Sequence, residues 1–212
     1  MEMPGIWGSF YRISIAIYKL AYVNALWLGF TLLGLVLFGF MPATVAMFAV
    51  CKKWMQGDWD EPVFAIFWAN YKKEFIRSNG LGIALILVGF LIYWNLTLFT
   101  GMEWTYVVIR YTMIAVGVAF AIMVIFLFPT YVSFDVVGLD RIKTALALAF
   151  GHPTYLILVL VGLYALQMLF MTIPGLILFF GAAVPATFLM WVFKLVHHSL
   201  ERKAQTQEVQ QT

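Results

Sequence analysis

The chain has 212 residues, 64% hydrophobic and 11% charged, with formal net charge +3, a pI near 9.0 and mean hydropathy +0.93. Such a balance excludes a water-soluble domain, and long continuous apolar runs in place of two-residue alternation exclude a transmembrane β-barrel. The surplus of Lys and Arg is what the cytoplasmic loops of a helical membrane protein carry, so it argues for the lipid bilayer as partner and not for nucleic acid.

Residues 1–20 lack the basic start, compact apolar core and small-residue cleavage site of a signal peptide. Ile6, Trp7, Phe10, Ile13 and Ile17 recur at helical spacing beside Arg12 and Lys19, which predicts an interfacial helix over 5–19. Residues 22–54 follow with no charge before Lys52. As one straight helix this run would reach roughly 50 Å, against a hydrocarbon core about 30 Å thick. It is expected to double back near Gly39 to Pro42, forming a first hairpin over 22–55. Cys51, the sole cysteine, reads as a small buried hydrophobe.

Over 62–78, Phe64, Phe67, Trp68, Tyr71 and Phe75 share one helical face with Lys72, Lys73 and Arg77 opposite, predicting a cytoplasmic amphipathic helix. A second hairpin is expected over 81–134, and a second amphipathic helix over 140–150, with Ile142, Leu146, Ala149 and Phe150 as its apolar part. A third hairpin over 154–196 and a polar tail over 197–212 complete the chain. The fold class is therefore all-α: a polytopic membrane bundle of about six transmembrane helices in three hairpins, in one domain. Reading 22–54 as two passes places twelve of the thirteen Lys and Arg on one side, leaving only Arg110 outside. The positive-inside rule then puts both termini in the cytoplasm of a multi-pass protein.

The three returning segments share a proline nine to twelve residues before the first basic residue: Pro42, Pro129 and Pro185. Pro-Ala-Thr occurs at both Pro42 and Pro185. A mid-helix proline kinks a helix and frees carbonyls, for which Thr44, Thr130 and Thr187 could supply hydroxyls. The prolines either shape the bundle or surround a cavity or docking groove; by this comparison Pro42 belongs within a helix and not in the turn.

No phosphate-binding glycine loop, zinc-protease motif or serine elbow occurs. His152, His197 and His198 lack metal-ligand spacing. No catalytic, cofactor-binding or metal residue is predicted, so no enzyme and no cofactor is expected, and the spans carry no mid-depth carboxylate for ion coupling. Asp135 is expected to pair with Arg141 or Lys143 at the inner face. Trp54 and Trp59 around the acidic turn, with Phe67, Trp68, Tyr71 and Phe75, either anchor the interface or contact a partner.

Taken in order, these features resemble the YesL-like family of bacterial membrane proteins: the Pro-Ala-Thr hairpin, Lys53-x-x-x-Gly57-Asp58, Phe67-Trp68-x-x-Tyr71-Lys72-Lys73-x-Phe75, Phe128-Pro129-x-x-x-x-Phe134-Asp135 and Lys143-x-Ala145-Leu146-x-Leu148-Ala149. The resemblance covers almost the whole chain. Family members are commonly encoded beside ABC-type oligosaccharide importers, which implies a bacterial plasma-membrane accessory or regulatory subunit that binds permease subunits, and it offers no catalytic residues to carry over. Two alternatives stay open: a small six-span substrate-binding or permease component of an importer, and a membrane sensor partner of a signalling kinase. A homo-oligomer is also left open.

Overall fold

The computed structural model describes residues 6–98, 103–134 and 138–211, with side chains described over 10–98, 103–134 and 138–199. All regular structure among them is helical: α1 (Ile6–Leu33), α2 (Leu37–Gln56), α3 (Val63–Leu98), α4 (Trp104–Ser133), α5 (Leu139–Gly151), α6 (Pro153–Thr172), α7 (Gly175–Phe180) and α8 (Ala183–Gln211). Among the described residues four helices are long and apolar enough to cross a membrane: Phe10–Leu33, Val63–Leu98, Trp104–Ser133 and Pro153–Thr172. No break separates the segment expected as an interfacial helix, 5–19, from the apolar stretch after it, and the amphipathic segment 62–78 runs straight on into α3. No proline stands at either junction, and Gly80 and Gly82 at the second are carried within the continuous helix.

The run from residue 22 does fold back, but earlier than Gly39 to Pro42. The turn is made by Gly34, Leu35 and Val36, with Leu35 at φ 54° and Val36 at φ 64° and ψ −59°. Leu37 N–H donates to the Leu35 carbonyl at 2.7 Å, so Val36 is the centre of a γ-turn of positive φ. A β-branched residue is strained there. Val36→Gly is therefore expected to stabilise the protein by about 1 kcal/mol, read as a raised midpoint of thermal unfolding in detergent; an unchanged or lowered midpoint would count against strain at this turn.

Helix α2 is the centre of the packing, set against α1, α3, α4 and α8. Every residue from 42 to 48 is buried, as are Val50, Cys51 and Trp54. Pro42 stands in the second turn of α2 and cannot donate to the Phe38 carbonyl. Thr44, expected to compensate, instead bonds the Phe40 carbonyl at 2.7 Å and accepts from Trp27 Nε1 at 3.0 Å. The Phe38 carbonyl receives Asn79 Nδ2 of α3 at 3.0 Å. Asn79→Leu is thus expected to cost roughly 1–2 kcal/mol, and less in a Pro42→Ala background where residue 42 donates to that carbonyl itself. Equal costs in the two backgrounds, measured by a double-mutant cycle, would refute the pairing.

Pro129 lies in the last turns of α4, with Thr130 Oγ donating to the Phe126 carbonyl at 2.8 Å. Pro185 is the third residue of α8, where no intrahelical donor is required, so it is not a mid-helix kink. The interruption falls at Gly181 and Ala182 instead, and Asn24 of α1 holds it: its Oδ1 accepts from Ala182 N at 2.9 Å and Ala183 N at 3.0 Å, while Nδ2 donates to the Leu178 carbonyl at 2.8 Å.

Helices differ in reach. Besides the Asn79 bond to Phe38, Met41 of α2 lies against Gly82, so the tip of the first hairpin is level with Asn79 and Gly82 on α3. Beyond Gly82, α3 continues to Leu98, roughly 24 Å further.

Candidate functional site

Phe67, Tyr71, Glu74, Ser78, Gly82 and Leu85 of α3 are buried, and their spacing of three or four residues is one helical face. That face carries a carboxylate inward: Glu74 is 9% exposed. A buried carboxylate needs partners, and Tyr131 of α4 supplies one, its hydroxyl donating to Glu74 Oε2 at 2.7 Å. Arg77 Nη1 stands 4.0 Å from Glu74 Oε1, a long pair whose arginine is largely exposed and which contributes little.

After α4 the chain re-enters helix at Gly138, whose φ of 62° suits a residue without Cβ. This turn brings Arg141, in the first turn of α5, over the Tyr131 ring with Cζ 3.8 Å from the centroid. Lys52 Nζ donates to the Val132 carbonyl at 2.7 Å. Lys53 Nζ is 3.0 Å from Glu61 and 3.6 Å from Asp58; the Glu61 hydrogen bond and charge, with Asp58 adding to them, hold its ammonium above the ordinary lysine range. Lys19 of α1 donates to the Trp59 carbonyl, tying the acidic turn to the first helix.

These groups surround a cavity of about 510 Å³ between α2, α3, α4 and the start of α5. Among the described residues its walls carry five cations, Lys52, Lys53, Lys73, Arg77 and Arg141, against one carboxylate, Glu74. Val45, Ala49 and Ile66 give it an apolar side. A second hollow of about 370 Å³ shares Lys52 and Gln56 and is bounded by Met190, Phe193, Lys194, His197 and His198. The arrangement suits binding of a negative group.

The aromatic residues expected to meet a partner mostly form the chain's own core. Phe67 is fully buried, and Trp54 and Tyr71 are nearly so. Phe30 of α1 draws them in, with ring centroids 5.3 Å from Phe67, 5.4 Å from Trp68 and 5.0 Å from Tyr71. Trp54 stacks on Trp59 at 5.2 Å, and Phe75 packs on Tyr71 at 5.6 Å. Trp54, Phe67 and Tyr71 are thus corrected from surface contacts to core; Trp68 stays 38% exposed, with Lys72 Nζ 4.8 Å above its ring. Of the expected inner-face ion pair, Asp135 lies outside the described residues, Lys143 pairs with Asp140 at 3.1 Å, and Arg141 is at the cavity. Glu74 and Tyr131 escaped the sequence reading. The signal for Glu74 was its place on the stripe with Phe67 and Tyr71, masked by three basic neighbours; Tyr131 carries none.

The family described as "Protein of unknown function, DUF624" matches residues 20–96. Three Bacillus subtilis (strain 168) proteins are similar over most of the chain. "Uncharacterized protein YteU" is 40% identical over 184 residues, 87% of this chain and 83% of its own length. "Uncharacterized protein YesV" is 35% identical, covering 83% and 85%, and "Uncharacterized protein YesL" 32% identical, covering 78% of each. No solved structure matches.

Proposed function

Since the chain belongs to the DUF624, YesL-like family, we propose that it is a non-enzymatic accessory or regulatory subunit of the bacterial plasma membrane, working beside an ABC-type carbohydrate importer. The importer enters through the neighbourhood that the family resemblance implies. The observation that supports the accessory role is a filled axis: among the described residues, 42–48 of α2 are buried against four other helices, giving the bundle a side-chain core at its centre. Large apolar residues remain for lipid or a neighbouring helix, among them Ile83, Ile86, Leu87, Phe90, Leu91 and Trp94, which follow one stripe of α3.

In the threading we propose, the basic ends and both termini lie in the cytoplasm and each helix pair goes out and returns. The first hairpin is shallower than the six-crossing reading requires. Lys72, Lys73 and Arg77 are exposed on α3 beside α2, and exposed cations do not sit in hydrocarbon. Residues 81–98 above them span roughly 27 Å, close to the hydrocarbon thickness. With its tip level with Gly82, at the start of that stretch, the α1–α2 hairpin sets its exposed apolar end, Leu33, Leu35 and Leu37, into the near edge of the bilayer and turns back there without crossing.

Purification of the native complex in mild detergent tests the role. A carbohydrate permease or its ATPase should co-purify, and deletion of the chain should impair oligosaccharide uptake; no co-purification together with intact uptake would end the proposal.

A further inference from the structure

We propose that the cavity between α2, α3, α4 and α5 binds a phosphate-bearing anion, either the headgroup of an anionic inner-leaflet lipid or a free phosphorylated solute. The charge balance disfavours a cation, because among the described residues five basic side chains and one carboxylate line the cavity. That carboxylate is already engaged: Tyr131 donates to one oxygen of Glu74 and Arg77 stands beside the other.

The basic groups are not equivalent. Lys53 is neutralised by Glu61 and Asp58. Lys52 donates to a neutral carbonyl, and Lys73 lines the cavity with no carboxylate within ion-pair distance among the described residues. Arg141 is held by stacking on Tyr131, whose ring is in turn fixed by its bond to Glu74. A guanidinium set in advance loses little freedom when it grips a planar pair of phosphate oxygens. Glu74 and Tyr131 are therefore positioning residues, and Arg141, Lys73 and Lys52 the binding ones. The volume of about 510 Å³ accommodates a headgroup or a small phosphorylated molecule. Val45, Ala49 and Ile66 give glycerol or ring carbons an apolar wall, and basic pockets between membrane helices on the cytoplasmic side recognise such headgroups.

The test uses the full chain in nanodiscs of phosphatidylcholine, with and without phosphatidylglycerol. Native mass spectrometry reads retained lipid, and thermal unfolding in the phosphatidylcholine discs reads the response to inorganic phosphate and pyrophosphate. Arg141→Gln and Lys73→Gln are compared with Lys143→Gln, which removes the same charge from an exposed site paired with Asp140. Retention of phosphatidylglycerol that falls about tenfold in the first two variants and not in the third supports the lipid source. Stabilisation by phosphate or pyrophosphate with the same variant pattern supports the solute source. Equal loss in Lys143→Gln would reduce the effect to general surface charge and overturn the proposal. So would absence of both responses in a wild-type chain that unfolds cooperatively.

Discussion

Asn24→Leu is expected to lower stability by about 4 kcal/mol, among the largest effects of any single substitution in the described residues. One side chain makes three bonds across the bundle, to Leu178 O, Ala182 N and Ala183 N, and is itself 1% exposed. Its loss leaves a carbonyl and two amides without partners at a helix start, and each such orphan costs roughly 1–3 kcal/mol where water is excluded. Leucine fills much of the same volume, so the effect isolates hydrogen bonding from packing. Asn95→Leu is the control: that amide bonds only its own helix, to Leu91 O at 2.8 Å, and is exposed, so a change within about 0.5 kcal/mol is expected. Unfolding in detergent, followed by far-ultraviolet circular dichroism against added sodium dodecyl sulfate, gives both numbers. Similar values for the two variants would mean that α7 and α8 do not depend on α1 for their junction.

The second large effect lies at the hairpin neck. A Cβ on Gly34 would stand 2.3 Å from Gly39 Cα, and one on Gly39 would stand 2.5 Å from both the Phe30 and Thr31 carbonyl oxygens. These neighbours are backbone and cannot rotate away, so either Gly34→Ala or Gly39→Ala must part α1 from α2. The expected cost is about 3 kcal/mol or more, at the upper end of overpacking effects. Gly29→Ala, where nothing lies within 4 Å, should instead gain about 0.5–1 kcal/mol from helix propensity. Measured stabilities in which all three alanine variants behave alike would contradict the close approach of the two helices.

Legibility of the fold follows from which forces act locally. Apolar runs too long for one crossing disclosed the fold-back of α1 and α2, because span length depends only on rise per residue and membrane thickness. The turn itself was misread: Pro42 drew it to Gly39, whereas Leu35 and Val36 adopt positive φ that neither residue type advertises. Pro185 was matched to Pro42 by a shared tripeptide, yet the helix start at Ala183, fixed by a side chain 159 residues away, determines what a proline does there. Phe67 and Tyr71 were read correctly as one face, but the identity of its cover, Phe30, comes from tertiary packing. At the cavity, the basic residues were visible as a charge cluster and Arg141 was named. Their convergence on Tyr131 and Glu74 depends on α4 meeting α3 and α5 folding back onto α4, which no local pattern encodes.

The central proposal is that the first hairpin turns back at the near edge of the bilayer without crossing it, so that the basic cavity stays on the cytoplasmic side. Labelling with a membrane-impermeant maleimide tests it directly, and Cys51, fully buried, gives little background. Single-cysteine reporters belong at Leu35 in the hairpin tip, Glu103 at the end of α4 that the proposal places outside, and Lys73 at the cavity. Glu103→Cys should react in intact cells, Lys73→Cys should react only after permeabilisation, and Leu35→Cys should stay unreactive in intact cells. Reaction of Leu35→Cys in intact cells as fast as Glu103→Cys would contradict the account, showing that α1 and α2 each cross the membrane completely.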